Sequence, residues 1–144
     1  MTIKYNNVFI EDAYTICGNY ENDGPLSKYF DKKYEKDLYF GEKSWEQAEV
    51  HLLKEANTNI LKKNKLKEED IDLLISGDLQ NQIAASNYMA REFNIPFLGI
   101  FEACSTSGEG LAIGSTYIEG GFAKRILVST SSHNMAAEKQ FRNP

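Results

Sequence analysis

The chain has 144 residues with 16 Lys+Arg against 21 Asp+Glu, a formal charge of −5 with histidine neutral. Phosphate binding draws on clustered Lys and Arg, so this balance argues against a nucleic-acid-binding module. With 42% hydrophobic and 26% charged residues it falls among globular chains with a core, and its apolar runs stay far below the roughly 20 residues that cross a bilayer.

Met1 opens no basic-then-apolar leader, so a soluble intracellular protein is the default expectation. Cys17 and Cys104 are too few for a disulfide framework or a zinc site. Val8-Phe9-Ile10 reads as a strand, and Tyr14 to Cys17 continues the β-branched and aromatic bias until Asn22-Asp23-Gly24-Pro25 breaks it with turn formers. Leu26, Tyr29, Phe30, Tyr34, Leu38, Tyr39 and Phe40 follow at near-helical spacing. They read as an amphipathic helix or an ordered excursion packed by its rings, the alternative being a surface for a partner. Ser44-Trp45-Glu46-Gln47 fits a capping box, and Trp45, Ala48, Leu52, Ala56 and Ile60 repeat at helical spacing up to Lys62 and Lys63. His51 points away from that stripe and reads as a solvated histidine.

Three continuous apolar runs, 71–75, 96–101 and 125–129, read as buried parallel strands. Helical segments are expected between them at 81–93 and 105–119. The β-α-β-α-β order predicts an α/β fold, with a mostly parallel sheet covered by helices on both faces. The segment after Cys104 is rich in small residues (Ser105, Ser107, Gly108, Gly110, Ala112, Gly114, Ser115), which predicts a buried central helix. Gly120-Gly121 is its expected stop.

Ligands of open α/β sheets bind beyond the carboxyl ends of the strands. Those ends are Ser76-Gly77-Asp78, Glu102-Ala103-Cys104-Ser105 and Thr130-Ser131-Ser132-His133-Asn134. Cys104 falls between a strand and a helix start, where unpartnered N–H groups favour a thiolate, so it is a candidate nucleophile or anion-site residue; a small apolar filler is the alternative. Asp78 either faces the pocket or caps the next helix. His133 is either a partner for Cys104 or a hydrogen-bonded loop residue. Arg142 either meets a ligand carboxylate or is solvated.

Ala103-Cys104-Ser105 before a small-residue helix resembles the thiolase-like condensing-enzyme superfamily. A fuller set of motifs resembles one family within it, stage V sporulation protein AD: Asp23-Gly24-Pro25-Leu26, Ser76-Gly77-Asp78-Leu79-x-Asn81-Gln82, Ile95-Pro96-Phe97-Leu98, Ala103-Cys104-Ser105-Thr106-Ser107, Gly120-Gly121-Phe122-Ala123-Lys124-Arg125, and Ser131-Ser132-His133-Asn134 leading to Gln140-Phe141-Arg142. The resemblance implies a thiolase-like fold of which residues 1–144 are an incomplete first half, lacking its last strand and the whole second half. Exposed apolar surface and an unpaired sheet edge are then expected. It also implies binding of dipicolinic acid, with or without calcium, for uptake into spores or release at germination. That role involves no cofactor, and is carried out beside channel proteins at the inner spore membrane, with a homodimer at full length. The ligand residues expected are Asp78, Cys104, Ser105, Ser107, His133 and Arg142. Glu102 stands where the family more often has a small residue. The competing reading is acyl transfer through Cys104, for which the resemblance supplies no catalytic histidine, since His133 does not occupy the position of one.

Overall fold

Apolar runs too short to make helices become strands when both of their faces can be covered. The computed structural model describes residues 2–142. Its order is β1 (Ile16–Cys17), α1 (Asn19–Asn22), β2 (Lys32–Lys33), α2 (Trp45–Lys63), β3 (Leu73–Gly77), α3 (Ala84–Ala90), β4 (Phe97–Gly99), α4 (Thr106–Glu119), β5 (Ile126–Thr130) and α5 (Asn134–Arg142). The short strands β1 and β2 pair in parallel by themselves. The main sheet has the order β4-β3-β5 and is parallel throughout. Its register sets Ser76 opposite Gly99 and Gly77 opposite Thr130, so the carboxyl ends of all three strands lie level.

Alternation along the strands assigns the two faces. Leu74 points to the side of α2 and α3, where it joins Leu53, Leu61, Ile71, Met89, Ala90 and Ile95 in the core. Each such side chain contributes about 1.5–3 kcal/mol when fully buried. Ile75 and Val128 point to the other side and meet α4 at Gly110 and Gly114. A methyl group on Gly110 would lie 2.6 Å from Val128 Cγ1, which explains why this turn of α4 carries no side chain. α4 ends as its glycines predict. Gly121 takes φ +76°, its N–H donates to Ile118 O at 3.0 Å, and Phe122 N–H donates to Tyr117 O at 2.9 Å.

Several expectations shift. The strand expected at Val8-Phe9-Ile10 is absent, with Phe9 82% exposed. That segment is tied down only at its margins: the amides of Asn6 and Asn7 donate to Glu119, and Glu11 pairs with Arg125. Residues 26–40 are the ordered excursion rather than a helix, closed by Phe40, whose ring lies 4.8 Å from that of Tyr34. This excursion folds over α2, so His51 is only partly solvated, its side chain 34% exposed and both ring nitrogens partnered: Nδ1 lies 2.9 Å from Glu42 Oε1 and Nε2 3.1 Å from the Tyr34 hydroxyl. On α2 itself, Ser44 Oγ accepts from Gln47 N–H at 3.2 Å, making one half of the capping box. The buried residues are Ala48, Glu49, Leu53, Asn57 and Leu61, whereas Leu52, Ala56 and Ile60 are only partly buried along an open groove of about 600 Å³ between α2, β5 and residues 8–16. The helix expected at 81–93 is shortened by a tight turn at Asn81–Ile83. Finally, α4 is buried on its sheet side alone: Leu111 and Tyr117 are exposed, because no other element among the described residues covers that face. β5 likewise pairs with β3 on one edge and with no strand on the other.

A Cβ on Gly77 would stand 2.3 Å from the backbone carbonyl oxygen of Ile100 and 2.6 Å from Thr106 Cγ2, while one on Gly108 meets nothing within 4 Å. Gly77→Ala is therefore expected to cost about 1–3 kcal/mol or more, since a backbone carbonyl cannot step aside. Gly108→Ala is expected to be neutral or to stabilise by up to about 1 kcal/mol through helix propensity. Chemical denaturation of both variants checks this, and equal midpoints would contradict the packing.

Candidate functional site

The level strand ends bring three loops to one place. Ser131 N–H donates to Gly77 O at 3.4 Å, joining the loop after β5 to the end of β3. Thr106, the first residue of α4, abuts Gly77 from the other side. The sheet register therefore positions the site, with Gly77 at its centre.

Cys104 lies in a tight turn, Ala103–Ser105, between β4 and α4, and its thiol is exposed and free. Ala103 adopts φ +45°, a left-handed conformation that strains any residue with a Cβ. The turn is held by its own hydroxyls: Ser105 Oγ donates to Glu102 O at 2.9 Å, and Thr106 Oγ1 donates to Ala103 O at 2.8 Å while accepting from Glu102 N–H at 3.2 Å. Ser105 stands at the N-cap of α4 but makes no side-chain cap, and Ser107 is exposed in its first turn. A 14-residue helix thus begins at Thr106, two residues after Cys104, with its positive end at this exposed turn.

Asp78 and His133 take inward positions. Asp78 is 1% exposed; its two oxygens accept from the N–H groups of Gln80 at 2.9 Å and Ser86 at 2.7 Å, so it organises the turn leading into α3. His133 is 5% exposed and caps α5: Nδ1 accepts from Ala136 N–H at 3.3 Å, and Nε2 lies 2.7 Å from Leu38 O, to which it donates. With both ring nitrogens engaged, His133 has none free to take a proton from Cys104. Arg142 sits at the far end of α5, about 12 Å along the helix from its first residue, Asn134. Its side chain is 78% exposed and pairs with Glu138 at 2.8 Å. Of the six expected residues, Cys104, Ser105 and Ser107 thus share one exposed turn, Asp78 and His133 brace the loops beside it, and Arg142 points elsewhere. The groove of about 600 Å³ beside β5 and one of about 890 Å³ over α2 and α3 both lie away from Cys104.

Glu49, on α2, is a residue of the same region that periodicity passed over. It is 1% exposed, yet its carboxyl accepts from Gln80 Nε2 at 2.8 Å and from Ser131 Oγ at 2.9 Å. Burial pushes its pKa above the usual carboxylate range, and the neighbouring charge of Asp78 pushes the same way. The available signal was the series Glu49, Leu53, Asn57, Leu61, which repeats every four residues and carries two polar groups into the core-facing stripe.

The family model for stage V sporulation protein AD matches residues 1–144. The chain belongs to this family. Stage V sporulation protein AD of Bacillus subtilis (strain 168) is 51% identical over 137 residues, which cover 95% of this chain and 40% of that protein. The chain therefore spans well under half the length of this curated relative. Among solved structures, 3-oxoacyl-[acyl-carrier-protein] synthase III from Aquifex aeolicus VF5 matches with a TM-score of 0.53 at 23% identity, over 59% of this chain and 30% of that one. That likeness establishes a thiolase-like α/β fold, of which this chain covers part. The description of the family, and of this relative, is that of a sporulation protein. Among the described residues, no helix is long and apolar enough to cross a membrane.

The environment of Glu49 yields a stability prediction with a definite sign. A raised folded-state pKa means that, as pH climbs past the ordinary carboxylate range near 4.3, the unfolded chain releases a proton that the folded chain retains. The wild type then loses stability across that window. Glu49→Gln, which does not titrate, is expected to match the wild type near pH 4 and to melt a few degrees above it near pH 8. Thermal scans at both pH values decide the matter, and a wild type gaining on the variant at high pH would reverse the assignment.

Proposed function

We propose that this chain binds dipicolinate, a small planar dianion, at the turn carrying Cys104, as part of the sporulation function of its family. Family membership carries the reading. The geometry supports it in one respect: a long helix begins at an exposed, strained turn beside three level strand ends, and helix starts hold carboxylates through backbone N–H groups without requiring a net-positive protein. In this reading the start of α4 and the Ser107 hydroxyl face one ligand carboxylate, and Ser105 contributes by releasing Glu102 O, to which its amide and hydroxyl both donate. Asp78 and His133 act as braces for the loops, and Arg142 has to leave Glu138 to contribute. Calcium accompanies the ligand as the family resemblance implies, Glu102 places a negative charge beside the dianion, and attachment to the inner spore membrane runs through channel-forming partners and a homodimer.

The exposed Cys104 thiol favours a second reading, acyl transfer through a thioester with the helix start as oxyanion hole. It lacks a base, since His133 is engaged on both nitrogens. Calorimetric titration with dipicolinate tests the first reading: saturable binding is expected, weakened at least about tenfold in Cys104→Trp, equivalent to about 1.4 kcal/mol. Undiminished binding in that variant overturns the site, and absence of binding to the wild type overturns the ligand. Incubation with acyl-CoA followed by mass spectrometry separates the second reading, because only acyl transfer leaves an adduct on Cys104.

A further inference from the structure

One carboxyl group joins two of the three loops that bound the strand ends. Gln80 follows β3 and Ser131 follows β5, and each donates a side-chain hydrogen bond to a different oxygen of Glu49 from beneath. Gln80 is held a second time, through its backbone N–H, by Asp78. Ser131 lies two residues before His133, whose Nε2 fixes the aromatic excursion at Leu38. Both contacts with Glu49 come from neutral groups. The titratable groups acting on it are Asp78, from the loop after β3, and His133, from the start of α5. No lysine or arginine among the described residues forms an ion pair with it.

We infer that Glu49 is a positioning residue that clamps the loops after β3 and β5 to α2 and to each other, and that its ionisation loosens both loops together. The inference rests on reading these strand ends as the ligand site, and it makes the shape of that site proton-dependent. The two donors favour the carboxylate, but burial and Asp78 oppose them; the protonated carboxyl keeps the Gln80 contact on its carbonyl oxygen and donates its own O–H to Ser131 Oγ, which turns to accept it. The carboxylate stands desolvated beside Asp78 without a counter-charge, and relief comes from letting water in, which means parting Gln80 from Ser131.

Hydrogen exchange of the whole chain, followed by mass spectrometry over 78–83 and 130–134, tests this with Glu49→Gln and Glu49→Ala. Glu49→Ala is expected to speed exchange in both loops about tenfold, the equivalent of one or two lost hydrogen bonds, while Glu49→Gln stays within about threefold of the wild type. Raising the pH from about 5 to 8, with intrinsic rates divided out, should loosen both loops in the wild type and neither in Glu49→Gln. Loosening of one loop alone, a glutamine variant as loose as the alanine one, or the same pH response in wild type and Glu49→Gln overturns the clamp. Should Glu49→Ala unfold as a whole, seen as equal loss of protection at 73–76, the pH response of Glu49→Gln against wild type still decides. Dipicolinate titrations run in parallel keep the two ideas apart: a wild type that binds no ligand removes the proposed function, whereas exchange alone judges the clamp.

Discussion

The close approach of β4 and the start of α4 to Gly77 is the constraint on which the rest of the arrangement depends. Any side chain there would collide with the carbonyl of Ile100 and with Thr106. Because Gly77 has none, β3 can end in contact with its neighbours on both sides, and its own carbonyl remains free to accept from Ser131. Three loops that belong to different crossovers thereby meet within a hydrogen bond of one another. Parallel pairing supplies the direction and the level register supplies the alignment, but the missing side chain sets the distance.

Around that point the interior is polar, and Ser76, Asp78 and Glu49 are each held. Ser76 receives a hydrogen bond from Ser129 across the sheet at 3.1 Å and passes its own to Ser86 on α3 at 3.3 Å. Asp78 takes up two amide groups that a broken helix start would leave unpaired, and Glu49 takes up two side chains from different loops. Buried hydrogen bonds of this kind add only about 1 kcal/mol each to stability, but deleting one partner exposes a desolvated group at a cost of about 1–3 kcal/mol. Their main effect is to make alternative loop arrangements expensive. The apolar core beneath, with Leu53, Leu74 and Met89 fully buried, provides the stability that this polar layer does not.

Much of the sheet was legible in the sequence because its signal is local. Continuous apolar runs marked β3, β4 and β5, and Gly120-Gly121 marked the end of α4, since only a left-handed residue permits the two closing hydrogen bonds seen there. Where the decisive partner is distant, the same reasoning failed. Val8-Phe9-Ile10 has strand composition but lies across the 600 Å³ groove from the free edge of β5, and a strand without a partner is not a strand. The apolar arc of α2 is wide enough to serve both the core and the groove, so periodicity alone could not say which flank is buried. At the site, the exposed turn at Cys104 follows from its place between strand and helix. The occupation of His133 does not, because its partner, Leu38, lies 95 residues earlier in an excursion of mostly irregular structure. Glu49 was invisible for a related reason: helical position says that a residue faces inward, but only the assembled fold says that two loops arrive to meet it.

Backbone strain is gathered at the same strand ends. Ala103 before Cys104, and Gln82 and Ile83 in the turn after β3, all lie in the left-handed region, at a cost of roughly 1–3 kcal/mol each. For Ile83 the adverse conformation drives its side chain against Gly99, the last residue of β4, so two of the three loops are fixed by turns that their own residues disfavour. Such strain persists only where the surroundings over-determine it, and here the fixed neighbours are the packed strand ends and the buried carboxyls. What the strained turns present to solvent is a helix start and an exposed thiol, while His133, after β5, is locked into holding the excursion in place.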